Sequence, residues 1–217
     1  MTSTGRPEKR RAIMDGARRV FGRDGYTRAS MDAIADEAKV SKRTIYNHFA
    51  DKEQLFQAVA VEGGQQVTDA IRRLMDLHLL KILDLEEDLL AFSRDRAATI
   101  TEFPDHFALV RALEAEVTRI PGPVLERWIA AGPQTAHERL APYLARIAER
   151  GLLVLDDPVT AALHLGQLTV ATIIQRSFYG ALPLPAEETE RVLRDGVRAF
   201  LRIYGPPSLR SPGAASF

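Results

Sequence analysis

The chain contains no cysteine. That excludes a disulfide framework, a thiolate nucleophile and any cysteine-ligated metal. It also has no run of about 18 apolar residues, so a transmembrane helix is not expected. Residues 1–11 are polar and basic without an apolar segment, unlike a secretory signal, and a cytoplasmic location is expected. The histidines, His48, His78, His106, His137 and His164, show no HExxH spacing, and neither a glycine-rich phosphate loop nor a GxSxG elbow occurs. No pair of carboxylates stands out as acid and base. An enzyme, a metal site and a bound cofactor are therefore not expected. Alternating strand patterns are missing too, which points to an all-α fold.

Net charge is zero, but the charge is not evenly spread. Residues 1–53 hold 12 Lys and Arg against 8 Asp and Glu, while the remainder holds 17 against 21. A positive N-terminal portion on an otherwise acidic chain suits a protein in which one domain meets phosphates. At 217 residues the chain can bury one large core or two modest ones.

The positive end carries the most informative pattern. Ile13, Ala17, Val20 and Phe21 give a helix from about Arg10 to Arg23. Asp24-Gly25 should end it, with Gly25 in the left-handed C′ conformation. Its other face shows Arg11, Arg18, Arg19 and Arg23. Met31, Ile34, Ala35 and Ala38 give a second helix, capped by Ser30. Lys39-Val40 then leads to a new cap, Ser41, and to the segment Lys42-Arg43-Thr44-Ile45-Tyr46-Asn47-His48-Phe49. Only Ile45 and Phe49 suit a core there. The other side chains can hydrogen-bond phosphates or base edges, as a helix laid in a DNA major groove requires. Helix, short turn and helix make a helix-turn-helix. Asp51 can cap a fourth helix opening with Lys52-Glu53-Gln54-Leu55-Phe56, which places Lys52 where free backbone N–H groups attract anions.

Gly25-Tyr26-Thr27, Ile34-Ala35, Val40-Ser41, Thr44-Ile45-Tyr46, His48-Phe49 and Lys52-Glu53 with Leu55-Phe56 fall in the order and spacing of one known family. Over roughly its first 55 residues the chain resembles the TetR family of bacterial repressors. The resemblance implies an all-helical homodimer with an N-terminal three-helix DNA-binding domain and a larger helical domain for dimerisation and a small inducer. Carried onto matching positions, it implies that Ser41, Lys42, Arg43, Thr44, Tyr46, Asn47 and His48 form the recognition helix and its cap. Tyr46, His48, Lys52 and the Thr27 hydroxyl are then phosphate contacts. Lys42, Arg43, Thr44 and Asn47 are candidates for base edges, Arg43 first, because arginine reads guanine bidentately. Ser41 suits a cap better than a contact. Arg43 departs from the family, which often has a small residue there.

From Leu55 onward the pattern is helical, with segments near 66–83, 86–101, 105–119, 122–131, 133–150, 158–179 and 186–204. Gly63-Gly64 is a candidate soft point in the helix that links the domains. The expected boundaries are 1–53 for the DNA-binding domain, 54–205 for the ligand-binding and dimerisation domain, and 206–217 for a frayed tail. Between Asp157 and Gly180 apolar residues occupy nearly the whole helix circumference, which calls for burial on several sides. The last two helices, about 158–179 and 186–204, are therefore the expected homodimer interface, in agreement with the resemblance. From His106 to Tyr204, Phe107-Ala108-Leu109-Val110-Arg111, Glu116 and Phe178-Tyr179-Gly180 are similar to the AefR-like branch of the family's C-terminal domains.

A family-type inducer site would draw on polar groups in otherwise apolar helices: His106, Arg111, Glu114, Trp128, Gln167, Thr172 and Gln175. Each has a plainer alternative. Arg111 and Glu114, three apart, suit a surface pair; Trp128 suits a core, and Gln167 a subunit contact. The function expected is that of a DNA-binding regulator, a repressor released by a small hydrophobic effector. The alternative is a dimeric regulator or activator without a ligand. The expected partner is a roughly palindromic double-stranded operator, mirroring dimer symmetry.

Overall fold

The computed structural model describes residues 5–131 and 135–207; among these there is no strand. Two compact units form: Met1–Val67 with Phe103–Pro133, and Thr68–Glu102 with Gln134–Phe217. These units cut the chain differently from the expected break after residue 53, because the segment after Phe103 packs with the N-terminal helices. Residues 208–217 of the expected tail lie outside the described residues.

The first unit is built on α1 (Gly5–Arg28), α2 (Met31–Glu37), α3 (Lys42–Tyr46), the start of α4 (Lys52–Leu79), α6 (Pro104–Ala115) and α7 (Gly122–Ala131). Ile13, Ala17, Val20 and Phe21 are all fully buried, as their spacing predicts. The helix is already formed at Gly5, the first described residue and five before the expected Arg10, and it accommodates Pro7 near its start, where a missing N–H costs little. Helical geometry is interrupted at Gly25. Its backbone (φ 77°, ψ 172°) is not the expected left-handed helical cap but a positive-φ extended form reached essentially only by glycine. A single core then joins α1 through α4 to Leu109, Leu113, Ile120 and Val124 of the α6–α7 segment. Phe21, Tyr26 and Phe56 form an aromatic cluster inside it, with Phe56 edge-on to both other rings at 4.9 Å.

α4 runs unbroken through Gly63-Gly64 and ends at Leu79 rather than near residue 83. The soft point is absent because both glycines are buried. At Gly63 the imidazole of His106 occupies the place of a side chain: Nδ1 lies 2.8 Å from where a Cβ would stand. α6 ends at Ala115, short of the expected 119, and Glu116 to Arg119 form turns.

The second unit holds the rest of α4, α5 (Leu85–Glu102), α8 (Thr135–Glu149), α9 (Pro158–Gly166), a π-helical turn (Gln167–Ala171), α10 (Thr172–Arg176) and α11 (Ala186–Tyr204). The expected single helix 158–179 is thus composite, capped by Asp157 through Val159 N–H at 2.9 Å and ending at Arg176. α11 buries Leu193, Val197, Phe200 and Leu201 on one face. It crosses the π turn so closely that a Cβ on Gly196 would lie 2.0 Å from the Leu168 carbonyl oxygen. Salt bridges tie α5 to α11: Arg94 grips Glu190 with two bonds of 2.9 and 2.8 Å, and Arg198 donates to Glu86 at 2.8 Å. No helix among the described residues is long and apolar enough to cross a membrane.

Candidate nucleic-acid interface

Local chemistry sets the helix-turn-helix. Ser30 caps α2 by accepting the Ala33 N–H at 3.1 Å. Lys39 takes a positive φ of 54° in the turn, and the Val40 N–H bonds the Ala35 carbonyl at 3.0 Å. Ser41 caps α3 by accepting the Thr44 N–H at 3.1 Å, and its hydroxyl also meets the Thr44 hydroxyl at 2.8 Å. Thr44 is therefore half-buried and engaged in the cap. The helix itself is only five residues, shorter than the two turns the motif suggests. Ile45, fully buried, and Phe49, nearly so, anchor it to the core.

With these two anchors inward, Lys42, Arg43, Tyr46 and Asn47 are exposed. Lys42 donates to Asp32 at 2.8 Å, a pair open to solvent. The Arg43 side chain has no hydrogen bond or ion pair among the described residues. Thr27 is exposed, and its backbone N–H donates to Glu116 Oε2 at 2.9 Å. The same carboxylate oxygens fill the space beside Gly25, 2.8 Å from a Cβ there. Glu116 thus fixes the turn that presents Thr27.

Lys52 opens α4, as expected, but its side chain is engaged within the chain. Its ammonium donates to the carbonyls of Tyr26 (2.9 Å) and Ala29 (3.1 Å), approaches that of Thr27 (3.5 Å), and sits 4.6 Å from the Tyr26 ring centre. An ammonium has three donors, so this lysine is already committed inside the chain, where it pins the α1–α2 turn. Asp51 does cap α4, accepting the Gln54 N–H at 2.7 Å while Gln54 accepts from Ala50 N–H at 2.7 Å. The pair resembles a capping box, with the return bond taken by the residue before the cap.

His48 is half-buried. Burial, then Arg6, Arg10 and Lys9 in decreasing order of effect, hold its pKa below the usual histidine range. The early start of α1 thus brings three cations beside α3. Composition showed only a basic terminus; without the helix start, these residues could not be placed. Arg10 also lies over the Phe49 ring at 5.6 Å and 3.5 Å from Glu62. By contrast, most of the arginine face read from the sequence is neutralised internally. Arg19 and Arg23 meet Glu37 at 2.8 and 3.4 Å, and Arg18 meets Asp15 at 3.4 Å.

The candidate effector residues are divided between the two units. His106, Arg111 and Glu114 on α6 and Trp128 on α7 belong to the first unit; Gln167, Thr172 and Gln175 belong to the second. Trp128 packs on the first unit's core. Gln167 and Gln175 are exposed, and Thr172 is half-buried, its hydroxyl donating to the Gln167 carbonyl at 3.3 Å. His106 is half-buried, with its Nδ1 buried and unpartnered; burial and the nearby Arg18 charge lower its pKa to about 4.

Known proteins share this arrangement. Residues 13–59 match bacterial regulatory proteins of the tetR family, and residues 87–206 match the C-terminal domain of AefR-like transcriptional repressors. The nicotine-responsive transcriptional repressor HdnoR of Paenarthrobacter nicotinovorans is 41% identical over 69 residues, 32% of this chain and 36% of that protein. The match thus spans about a third of that relative's length. A TetR-family transcriptional regulator from Mesorhizobium loti superimposes with a TM-score of 0.82 at 30% identity, over 94% of this chain and all of that one. The flavonoid-responsive regulator FrrA superimposes with a TM-score of 0.69 at 28% identity, over 93% of this chain and 99% of that one. With its tetR-type helix-turn-helix and AefR-like C-terminal domain, the chain belongs to the TetR family of bacterial transcriptional regulators.

Proposed function

We propose that this chain is a homodimeric, cytoplasmic, sequence-specific DNA-binding repressor, not an enzyme, released from its operator by a small apolar effector. The observation that carries the reading is α3 itself. Two buried anchors, Ile45 and Phe49, turn Lys42, Arg43, Tyr46 and Asn47 outward beside Arg6, Lys9 and Arg10. Arg43 and Asn47 read base edges, Lys42 exchanges Asp32 for DNA, and Tyr46, His48, Thr27, Arg6 and Lys9 hold phosphates. Lys52 acts one step back, by positioning Thr27 through the turn it pins. Ser41 and Thr44 set the helix start.

The dimer forms through the last two helices. Val159, Leu163 and Phe178 are 40%, 41% and 59% exposed, and with Gln167, Ala171, Ile174 and Gln175 they make one stripe along α9–α10. An exposed apolar stripe of this kind marks an interface. The effector acts by linkage: it binds the DNA-incompetent state more tightly and so lowers operator affinity. Selection of random duplexes by the purified dimer tests the function. The expected winner is a rough palindrome; a pool without enrichment contradicts the reading.

A further inference from the structure

In the second unit, α5 carries polar groups that the fold leaves unused. Ser93 is 1% exposed, and its hydroxyl has no hydrogen-bond partner. One turn on, Arg96 has no side-chain hydrogen bond or ion pair among the described residues. Its guanidinium lies against the end of α9, with Nη1 3.5 Å and Nη2 3.8 Å from the point where a Cβ on Gly166 would stand. The missing side chain at Gly166 is what leaves the guanidinium this place.

Residues three apart on a helix share a face, and the neighbours of this pair on α5 are apolar: Leu89, Phe92, Ala97 and Ile100 are all buried. α5 packs there against the π turn and α10. π-helical turns are often found at functional sites.

Arg96 is half-buried, and a charge held within a fold without a partner is costly. Burial alone lowers the Arg96 pKa to about 10, so the group stays cationic at neutral pH. Arg94 on this helix and Arg194 on α11 both meet Glu190. Arg96 is the one aimed inward, away from those carboxylates. A planar guanidinium offers two parallel N–H donors that fit a carboxylate bidentately.

We propose that Arg96 and Ser93 form the head-group site of the effector, and that the effector is a monocarboxylate with an apolar body. This deepens the effector-released reading and rests on it. The guanidinium holds both carboxylate oxygens, the Ser93 hydroxyl donates a further bond to one of them, and the α5 face covers the apolar body.

The test uses the full-length protein, wild type, Arg96→Met and Ser93→Ala. The probes are octanoate and 1-naphthoate, each against its uncharged primary amide, with thermal unfolding and calorimetry as readouts. Without a probe, Arg96→Met should melt a few degrees higher, because an unpaired charge has been replaced by an apolar chain of similar length. At least one carboxylate should raise the wild-type melting temperature in a concentration-dependent way. Its amide should bind at least tenfold more weakly. Arg96→Met should abolish the preference for the acid, and Ser93→Ala should weaken the acid several-fold.

A lower melting temperature for probe-free Arg96→Met would overturn the proposal by revealing an internal partner. Dissociation of the Arg96→Met dimer in sedimentation would overturn it in favour of a subunit contact. Equal affinity for acid and amide, or no response to any carboxylate, would also sink it. None of these readouts involves DNA. A failure to bind operator would therefore leave the head-group result standing and count against the repressor reading alone.

Discussion

Arg43 and Lys52 are both cations near the helix-turn-helix, yet the fold gives them different work. Arg43 is exposed and has no side-chain partner among the described residues, and arginine in a major groove discriminates by two bonds to one base. Arg43→Ala should therefore relax preference at one operator position by about 1–3 kcal/mol. Affinity for a panel of single-base operator variants checks this; equal loss on all of them would remove Arg43 as a reader. Lys52 spends its donors on the carbonyls of Tyr26, Ala29 and Thr27. Lys52→Met should lower the melting temperature and weaken binding to all duplexes alike, while the slope of affinity against salt changes little. A slope reduced by one charge at unchanged stability would restore the direct phosphate contact that the family resemblance implied. The outward placement of Lys42, Arg43, Tyr46 and Asn47 was legible because Ile45 and Phe49, four apart, leave one possible outward face. The commitment of Lys52 was not, because its partners are backbone carbonyls more than twenty positions away and carry no sequence signal.

Helices in this chain end and meet where a few groups decide it. Gly25 keeps a backbone form that other residues reach only with strain, and the Glu116 carboxylate fills the space of its missing side chain. Gly25→Ala should cost about 1–3 kcal/mol and loosen the turn that presents Thr27. Urea unfolding and operator affinity measure the two effects, and a neutral substitution would show that the turn does not need glycine. His106, on α6 against Gly63 of α4, makes stability depend on pH. Its pKa in the fold is about 4, below an unfolded value near 6.5. Between these values the unfolded chain binds the proton and the folded one does not. The neutral side chain's contribution is thus complete above about pH 6.5 and is lost as pH falls to about 4, on the order of 3 kcal/mol in all. His48, also lowered, adds in the same direction. The curve of unfolding free energy against pH should flatten in His106→Gln; an unchanged acid slope would assign it to other groups. Helix existence was readable from apolar period, since Ile13, Ala17, Val20 and Phe21 are all core. The composite nature of 158–176 was not, because a π turn adds one residue per turn without changing which residue types are apolar.

At the scale of the molecule, charge and grouping follow from which residues each unit buries. The division after Val67, rather than after residue 53, escaped sequence reading because Leu109, Leu113, Ile120 and Val124 join the N-terminal core from a hundred residues away. The exposed stripe of Val159, Leu163 and Phe178 predicts that Leu163→Asp, or removal of residues 186–217, yields monomers or aggregates. Sedimentation would contradict the proposed interface by showing a clean dimer in either case. The account as a whole claims that α3 reads sequence while cations around it hold phosphates. The most direct test is the affinity for the selected operator and for a scrambled duplex, both titrated across salt. The account predicts log affinity falling linearly with log salt for both, with comparable steep slopes, and a gap of about a thousandfold or more at physiological salt. Parallel lines without a gap would leave the chain a general DNA binder and remove α3 as a reader of sequence.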